Sequence, residues 1–179
     1  MQASHLIAVF KRFPKQLFRV NNGRTINLRV WSPRRHSYDI FAENGLVKPK
    51  ALDPLSYAAP NGASMRPNSP YQQSLVSWRF RGSDMIVYSV PKGTRLPDDL
   101  ILVHERSDHY SLQPAVPMTV DGKFSCMPFR NFDQSLTRHL DMNARMTNFF
   151  RDNAQEFTRD EWLEAYPKAT ESSQFHSSR

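Results

Sequence analysis

The side chains that could do chemistry stand at predicted strand ends and in loops rather than in a standard catalytic motif. They are Arg19, Ser64, His104, Glu105, Asp108, His109 and Tyr110. The chain has no Walker loop, no glycine-rich dinucleotide fingerprint, no paired histidines at helical metal spacing and no nucleophile elbow. The motifs typical of kinases, dehydrogenases, zinc hydrolases and serine hydrolases are therefore absent.

Two kinds of activity remain open on the chemistry of these residues. His104 or His109 could act as general acid and base in a small ribonuclease, with a lysine or arginine stabilising the phosphorane. The arginines could instead form a non-enzymatic nucleic-acid- or ribosome-binding module, with Trp78, Phe80 and Tyr88 as stacking groups. The formal charge of +7, from 24 Lys and Arg against 17 Asp and Glu, favours an anionic partner in either case.

Arg19 lies in the first segment that reads as a strand. The pattern Leu17–Val20, then an Asn22-Gly23 turn, then the β-branched run Thr25–Trp31 predicts a β-hairpin. The preceding residues 1–16 mix apolar and basic side chains, and they predict a mobile arm or a short amphipathic helix.

Ser64 lies within a long region of prolines and turn dipeptides, just after the Asn61-Gly62 turn. Residues 33–70 predict mostly loop with a short helix at about 38–43. A helix is then predicted up to Arg81, because Ser69 can cap its first turn, Pro70 suits its first position, and Gln72 completes a capping-box spacing.

The cluster from His104 to Tyr110 lies within a region rich in strands. Strands are predicted at 85–90, 100–103 and 109–112. A helical pattern then runs through 131–157, whose stripe of Phe132, Leu136, Leu140 and Phe149 we expect in the core. Thr158 and Glu161 predict a second capping box.

The composition limits the class of protein. A chain of 179 residues, 39% hydrophobic and 23% charged, has the size and balance of one folded domain. Cys126 is the sole cysteine, which excludes an internal disulfide and suggests a reducing compartment. No apolar run approaches the ~20 residues of a membrane helix, and Leu6–Phe10 is too short for a signal-peptide core. We therefore expect a cytoplasmic protein without a signal peptide or membrane partner.

Two segments carry a resemblance to a known family. The stretch VYSVPKGTRLPDDL at 87–100, followed by HYSLQPAVPM at 109–118, resembles the C-terminal half of type VI secretion toxins of pseudomonads. Shorter matches occur in the same order at LFRV (17–20), at NGAS (61–64) and in a C-terminal helix containing Leu136 and Leu140. The resemblance spans about residues 17–151 and extends to relatives outside bacteria.

This resemblance implies a fold and a cofactor. The family has an ADP-ribosyltransferase-like α+β fold, in which two small, mostly antiparallel sheets form a split core flanked by helices. NAD would bind in a cleft between the sheets. We accordingly expect one domain at 17–167, preceded by the arm at 1–16 and followed by a disordered tail at 168–179.

The resemblance also implies roles for individual residues. Arg19 would hold the pyrophosphate or ribose of NAD through its guanidinium fork, and Ser64 would support the cleft. No glutamate stands at the start of the His109 strand, where the wider superfamily has its catalytic acid. The expected site residues are therefore, as catalytic groups, Glu105, Asp108 and His109, and as cofactor-binding groups, Arg19, Ser64, Tyr110 and Gln113.

The function implied is that of an intracellular toxin. It would transfer a single ADP-ribose from NAD to an essential cytosolic protein or RNA, and its basic surface would favour the translation machinery as target. A neutralising immunity protein is a further expected partner.

Overall fold

The architecture is a set of short antiparallel strands with three helices around them, seen in a computed structural model that describes residues 6–120 and 140–173. Within these ranges the strands are Ala8–Phe10 (β1), Leu17–Asn22 (β2), Leu46–Val47 (β3), Ala63–Met65 (β4), Met85–Val90 (β5), Leu100–Arg106 (β6), His109–Pro114 (β7), Met118–Thr119 (β8) and Gln155–Phe157 (β9). The α-helices are Pro70–Ser74 (α1), Met142–Asn153 (α2) and Arg159–Ala165 (α3). A π-helical segment, Leu75–Arg79, continues α1, and a 3₁₀ turn forms at Lys50–Leu52.

The strands form small separate sheets. A four-stranded sheet has the order β1-β6-β7-β4, a three-stranded sheet has the order β2-β5-β9, and β3 pairs with β8. All of these named pairings are antiparallel. The predicted α+β class with a core split between small antiparallel sheets is confirmed.

The two faces of the four-stranded sheet have different surroundings. Leu100, Leu102 and Leu112 face the main core, which also receives Phe149 and Phe150 from α2. Ile101 and Val103 alternate with them and point to the other face, where they pack against Tyr57 and Ala51. Polar side chains of β6 and β7 continue this second face toward the end of the sheet.

The predicted hairpin at 17–31 is wrong in its second half. β2 forms as expected but pairs with β5, with Arg19 opposite Tyr88. The backbone N–H groups of Ile26 and Leu28 donate instead to side chains of α2, Thr147 Oγ1 at 2.9 Å and Asn143 Oδ1 at 3.1 Å. These helix side chains take the place of a partner strand, so residues 25–31 do not join a β-sheet.

The loop and the first helix agree with prediction in part. No helix forms at 38–43, and Val30 and Ile40 instead form an isolated bridge. Ser69 caps α1 as expected, since its Oγ accepts the N–H of Gln72 at 3.2 Å, and Pro70 is the first helical residue. The helical segment ends at Arg79 rather than Arg81.

The pattern at 131–157 allows one long helix or two abutting ones, and its described part is helical at Met142–Asn153. Residues 121–139, with the core candidates Phe132 and Leu136, lie outside the described residues. α2 ends at Asn153, and residues 155–157 form β9 instead of helix. Leu140 is 43% exposed, so its assignment to the core is wrong, whereas Phe149 is buried. The capping box of Thr158 and Glu161 is confirmed at the start of α3.

The described residues next to both ends of the chain, 6–16 and 168–173, make defined contacts with the rest of the fold. Residues 8–10 form β1, paired with β6, rather than an amphipathic helix. Near the other end, the N–H of Thr170 donates to the carbonyl of Asn68 at 2.9 Å, and Glu171 forms an ion pair with Lys15. The domain boundaries at 17 and 167 stay a prediction. Among the described helices, none combines the length and apolar character needed to cross a membrane.

Candidate active site

A cleft lies where the edge strands of the two larger sheets meet. β2 and β4 are joined there by reciprocal backbone hydrogen bonds between Phe18 and Arg66, at 2.7 and 2.9 Å. The cleft has a volume of about 520 Å³, within the usual range for small-molecule sites. Its lining includes Arg19 and Ser64, the two residues predicted to hold NAD.

Arg19 is fixed in the floor of this cleft by neutral acceptors. Its Nη1 donates to the carbonyl of Ser64 and its Nη2 to Asn21 Oδ1, both at 3.1 Å. The side chain is partly exposed as a whole, but its Nε is fully buried and has no hydrogen-bond partner in the described structure. Burial lowers the pKa of Arg19 to about 10, against an opposing contribution from Asp39, so the group stays charged at neutral pH.

Ser64 lies at the middle of β4, opposite Ser111 of β7. β4 can approach β7 this closely because Gly62 precedes it. A Cβ at Gly62 would overlap the carbonyl oxygen of Leu112. Strand alternation places Ser64 away from the main core, since its neighbours Ala63 and Met65 are both buried there.

His109 connects Ser64 to a buried carboxylate. His109 Nε2 lies 3.0 Å from Ser64 Oγ, and its Nδ1 lies 2.6 Å from Glu105 Oε2, although this second approach does not meet hydrogen-bond geometry. A negative Glu105 favours the ring form with its proton on Nδ1, which leaves Nε2 free to accept the Ser64 proton. The structure thus places three expected site residues next to one another, in the order Ser64, His109 and Glu105.

Glu105 does not reach the cleft, contrary to the expectation that it could fold over the mouth. It is 6% exposed, and its Oε1 accepts hydrogen bonds from Tyr57 and, at 3.0 Å each, from Ser111 and Gln113. Burial alone would raise the pKa of Glu105, but His109, Tyr57 and Ser111 outweigh it and hold the pKa below its ordinary value. Gln113 is fully buried beside this carboxylate and does not line the cleft.

Asp108 and Tyr110 lie away from the cleft. Asp108 accepts the hydroxyl of Ser69 at 2.5 Å and lies 3.7 Å from Arg66 Nε, so it holds the start of α1. Tyr110 stacks on His104, with ring centroids 4.1 Å apart, and lines a different hollow. Because His104 packs with Tyr110 while the adjacent His109 points to the opposite face, the structure does not bring the two histidines together.

The comparison with protein families agrees with this geometry. The family model for the Tse2 ADP-ribosyltransferase toxin matches residues 15–162. The chain belongs to the Tse2 ADP-ribosyltransferase toxin family. No curated protein and no solved structure shows significant similarity to the chain. The expected resemblance to a type VI toxin family with this fold is confirmed.

Asp39 is the residue of this Tse2-family cleft that sequence reasoning missed. It is the acidic side chain among the described cleft-lining residues. Its carboxylate accepts the backbone N–H of Arg29 at 2.8 Å and the guanidinium through Nε at 3.0 Å and Nη2 at 2.9 Å. Burial opposes the charge of Asp39, but these contacts with Arg29 and the charge of Arg19 lower its pKa. The feature of the sequence that could have pointed to Asp39 as a site residue is its position in the long loop at 33–70.

Arg66 was also missed, and it adds a third guanidinium to the cleft beside those of Arg19 and Arg29. It follows β4 directly, two residues after Ser64, and lies on the same side of the chain.

Of the proposed stacking groups, Trp78 is exposed, but Tyr88 is buried against Phe150 and donates its hydroxyl to a backbone carbonyl. Tyr88 therefore cannot stack on a nucleobase.

A larger hollow of about 670 Å³ lies elsewhere on the molecule. It is lined by residues of the 38–60 region, including Phe41, Lys48 and Lys50. None of the expected site residues lines it. Volume alone therefore does not select the site, and the convergence of Arg19, Ser64 and the His109–Glu105 pair favours the smaller cleft.

Proposed function

We propose that the chain is a mono-ADP-ribosyltransferase toxin that binds NAD in the cleft around Arg19 and modifies an essential cytosolic target. Membership in the Tse2 ADP-ribosyltransferase toxin family supports the class of activity. The position of the cleft, between the edge strands of two small sheets, supports it as the NAD site.

The observation that carries the proposal is the environment of Arg19. A guanidinium with a buried, unpartnered Nε and no direct ion pair among the described residues is costly to a folded protein. An anionic ligand in the cleft would remove this cost by supplying the missing negative charge. The pyrophosphate of NAD is such a ligand, and Arg66 adds a second positive charge for it.

The Ser64–His109–Glu105 line would handle a proton at the cleft wall. When nicotinamide leaves, the bond between the ribose carbon and the ring nitrogen breaks and positive charge builds on the ribose. An acceptor group that attacks this carbon must lose a proton, and His109 Nε2 can receive it through the Ser64 hydroxyl. Glu105 then stabilises the protonated ring from behind and acts as a positioning residue.

Negative charge for the ribose would come from Asp39. Asp39 borders the cleft, whereas Glu105 is enclosed and Asp108 lies at another hollow. The backbone carbonyl of Asp39 accepts the N–H of Gly62 at 3.0 Å, which holds Asp39 beside β4 and Ser64. Its pairing with Arg29 keeps it ionised but also reduces its free charge.

The function is tested with NAD labelled in its adenylate half. Purified protein and a cell extract are expected to give a labelled macromolecule and free nicotinamide. Arg19→Met should abolish both products, while the exposed Arg35→Met should retain them. A toxic wild-type protein that neither consumes NAD nor transfers label would contradict the proposal.

The acid is identified by comparing three isosteric changes. Asp39→Asn and Glu105→Gln are each expected to lower NAD-dependent labelling at least ~10-fold, equivalent to about 1.4 kcal/mol of transition-state stabilisation. Asp108→Asn should affect thermal stability more than labelling. If all three variants are as toxic as the parent while Arg19→Met is not, carboxylate-assisted NAD cleavage is the wrong mechanism.

We further propose the translation machinery as the target and a neutralising immunity protein as a second partner. The charge of +7 favours encounter with ribosomes, tRNA or acidic factors. Addition of the protein and NAD to a cell-free translation reaction should stop synthesis, and omission of NAD should restore it. Equal inhibition without NAD would indicate binding instead of transfer.

A further inference from the structure

Alternating guanidinium and aromatic side chains form a row that starts in the cleft and runs outward along α1 and the π-helical segment. Arg66 Cζ lies 4.4 Å from the centroid of the Tyr71 ring. Arg79 Cζ lies 5.1 Å from the same ring and 4.5 Å from the ring of Trp78. The order Arg66, Tyr71, Arg79, Trp78 is called the stacking row below.

The stacking row is open to solvent at its outer end. Trp78 is 58% exposed and Tyr71 is 39% exposed, while Arg79 is also exposed. Single exposed apolar side chains are common, but two exposed aromatic rings joined by one guanidinium form a continuous surface of the kind that serves an interaction. The inner end is Arg66, which lines the cleft next to Ser64.

Hydrogen bonds and charge hold the stacking row in place. Arg79 Nε donates to Ser74 Oγ at 3.0 Å, which fixes the guanidinium between the two rings. Arg159 donates to the carbonyl of Ser77 and to that of Phe80, at 3.1 Å each, and thus adds a further positive charge under the same segment. The aromatic faces and the cations are therefore positioned before any ligand arrives.

The composition of this surface suits a nucleic acid better than a protein. Tyr71 and Trp78 are the large apolar side chains exposed on the described helical segment 70–79, whereas Leu75 is half-buried and Val76 is buried. A protein interface would need an apolar centre around such aromatics. Exposed aromatic rings flanked by arginine guanidinium groups instead match the alternation of bases and phosphates in a single strand.

We propose that the stacking row binds single-stranded nucleic acid and leads it to the cleft. A base stacks on the part of the Trp78 ring that Arg79 leaves open, and the guanidinium groups of Arg79 and Arg66, which lie against Tyr71, pair with the neighbouring phosphates. A strand bound along the row would approach the cleft at Arg66 and would serve there as the ADP-ribose acceptor. The role as acceptor rests on the proposed transferase function, but the binding itself does not.

Binding is measured without NAD, using fluorescein-labelled 12-nucleotide RNA and DNA strands of the same sequence and fluorescence anisotropy. Trp78→Ala should weaken binding about 5-fold or more, as loss of one stacked base does. Arg79→Ala should reduce the slope of log affinity against log salt by about one. Affinity for RNA, for DNA or for both supports the site, and the relative affinities identify the acceptor.

Matched controls separate this surface from general basicity. Trp31 is 40% exposed and packs on Phe41 away from the row, so Trp31→Ala should leave affinity within about 2-fold. The exposed Arg35→Ala should leave the salt slope unchanged. No binding to either strand, or an equal loss in Trp31→Ala and Trp78→Ala, overturns the proposal. Labelling of extract proteins that depends on Trp78 while RNA and DNA fail to bind would assign the row to a protein acceptor and also overturn it.

NAD titration keeps the two proposals distinguishable. Trp78→Ala should bind NAD as the wild type does, because Trp78 does not line the cleft. Loss of strand binding with intact NAD binding supports the stacking row alone. Intact strand binding in Arg19→Met, together with lost NAD binding, would show that the two sites are separate, as proposed.

Discussion

Replacement of Arg19 by Met should remove NAD binding and leave the protein folded. Methionine has a similar length and no charge. Burial lowers the pKa of Arg19 to about 10, which means that the folded protein disfavours the charged side chain. The hydrogen bonds to Ser64 and Asn21 favour it, at about 1.5 to 3 kcal/mol each, because the donor is charged. The two effects oppose each other, so the free energy of unfolding should change by less than about 3 kcal/mol.

NAD binding should respond much more strongly. A guanidinium fork that donates two charge-assisted hydrogen bonds to phosphate contributes about 3 kcal/mol or more, which is about 100-fold in affinity. Isothermal titration calorimetry gives the NAD dissociation constant, and urea unfolding gives the free energy of unfolding. Arg24→Met is the control, since Arg24 is exposed and pairs only with Glu156 among the described residues.

The two measurements together decide between a binding and a structural role. Near-native unfolding with NAD affinity reduced at least 100-fold supports the binding role. A loss of more than about 3 kcal/mol in the free energy of unfolding would show that Arg19 holds β2 and β4 together. NAD affinity equal to that of Arg24→Met would refute the assignment of the cleft.

Further changes examine the wall of the cleft. Ser64→Ala removes one hydroxyl contact with His109 and should lower labelling from NAD about 5-fold, equivalent to about 1 kcal/mol, without changing the thermal midpoint; unaltered toxicity would remove Ser64 from the site. Glu105→Gln should make the free energy of unfolding depend less on pH below about pH 5. The lowered pKa of Glu105 stabilises the folded state above the unfolded value of about 4.3, and this stabilisation is lost as the pH falls through the folded value. Urea unfolding between about pH 5 and 3 should therefore show a larger loss for the wild type than for Glu105→Gln, and parallel losses would contradict the direction of this pKa shift. Gly62→Ala forces β4 away from the Leu112 carbonyl and should cost about 1 to 3 kcal/mol of unfolding free energy, and an unchanged value would show that β4 can move freely.

Local signals in the sequence predicted the elements whose hydrogen bonds are local. The Ser69 cap, the Thr158–Glu161 capping box and the strand at 85–90 all form as expected. The hairpin failed because the backbone of 25–31 bonds to α2, more than a hundred residues later, and no short-range pattern records that contact. Residues 155–157 likewise became a strand because β5 offers them a free edge.

The site was predictable only in outline. Arg19 and Ser64 could be placed through the resemblance, and the structure brings them to one cleft. The carboxylates could not be sorted, because burial depends on the surrounding fold: Glu105 lies behind His109, whereas Asp39 is carried to the cleft by a loop. Residue type and spacing along a strand do not predict which carboxylate is buried and which one lines the cleft.

The enclosed hydrogen-bond network behind the cleft makes its members energetically interdependent. Glu105, Tyr57, Ser111 and Gln113 each form a buried hydrogen bond with another member, and the Glu105 carboxylate faces the ring of His109. A single substitution therefore leaves a buried donor or acceptor without a hydrogen-bond partner, and only a matched second substitution can restore the lost stability. Mutational effects within this set should be non-additive, so that replacing two partners together costs less than the sum of the two single replacements.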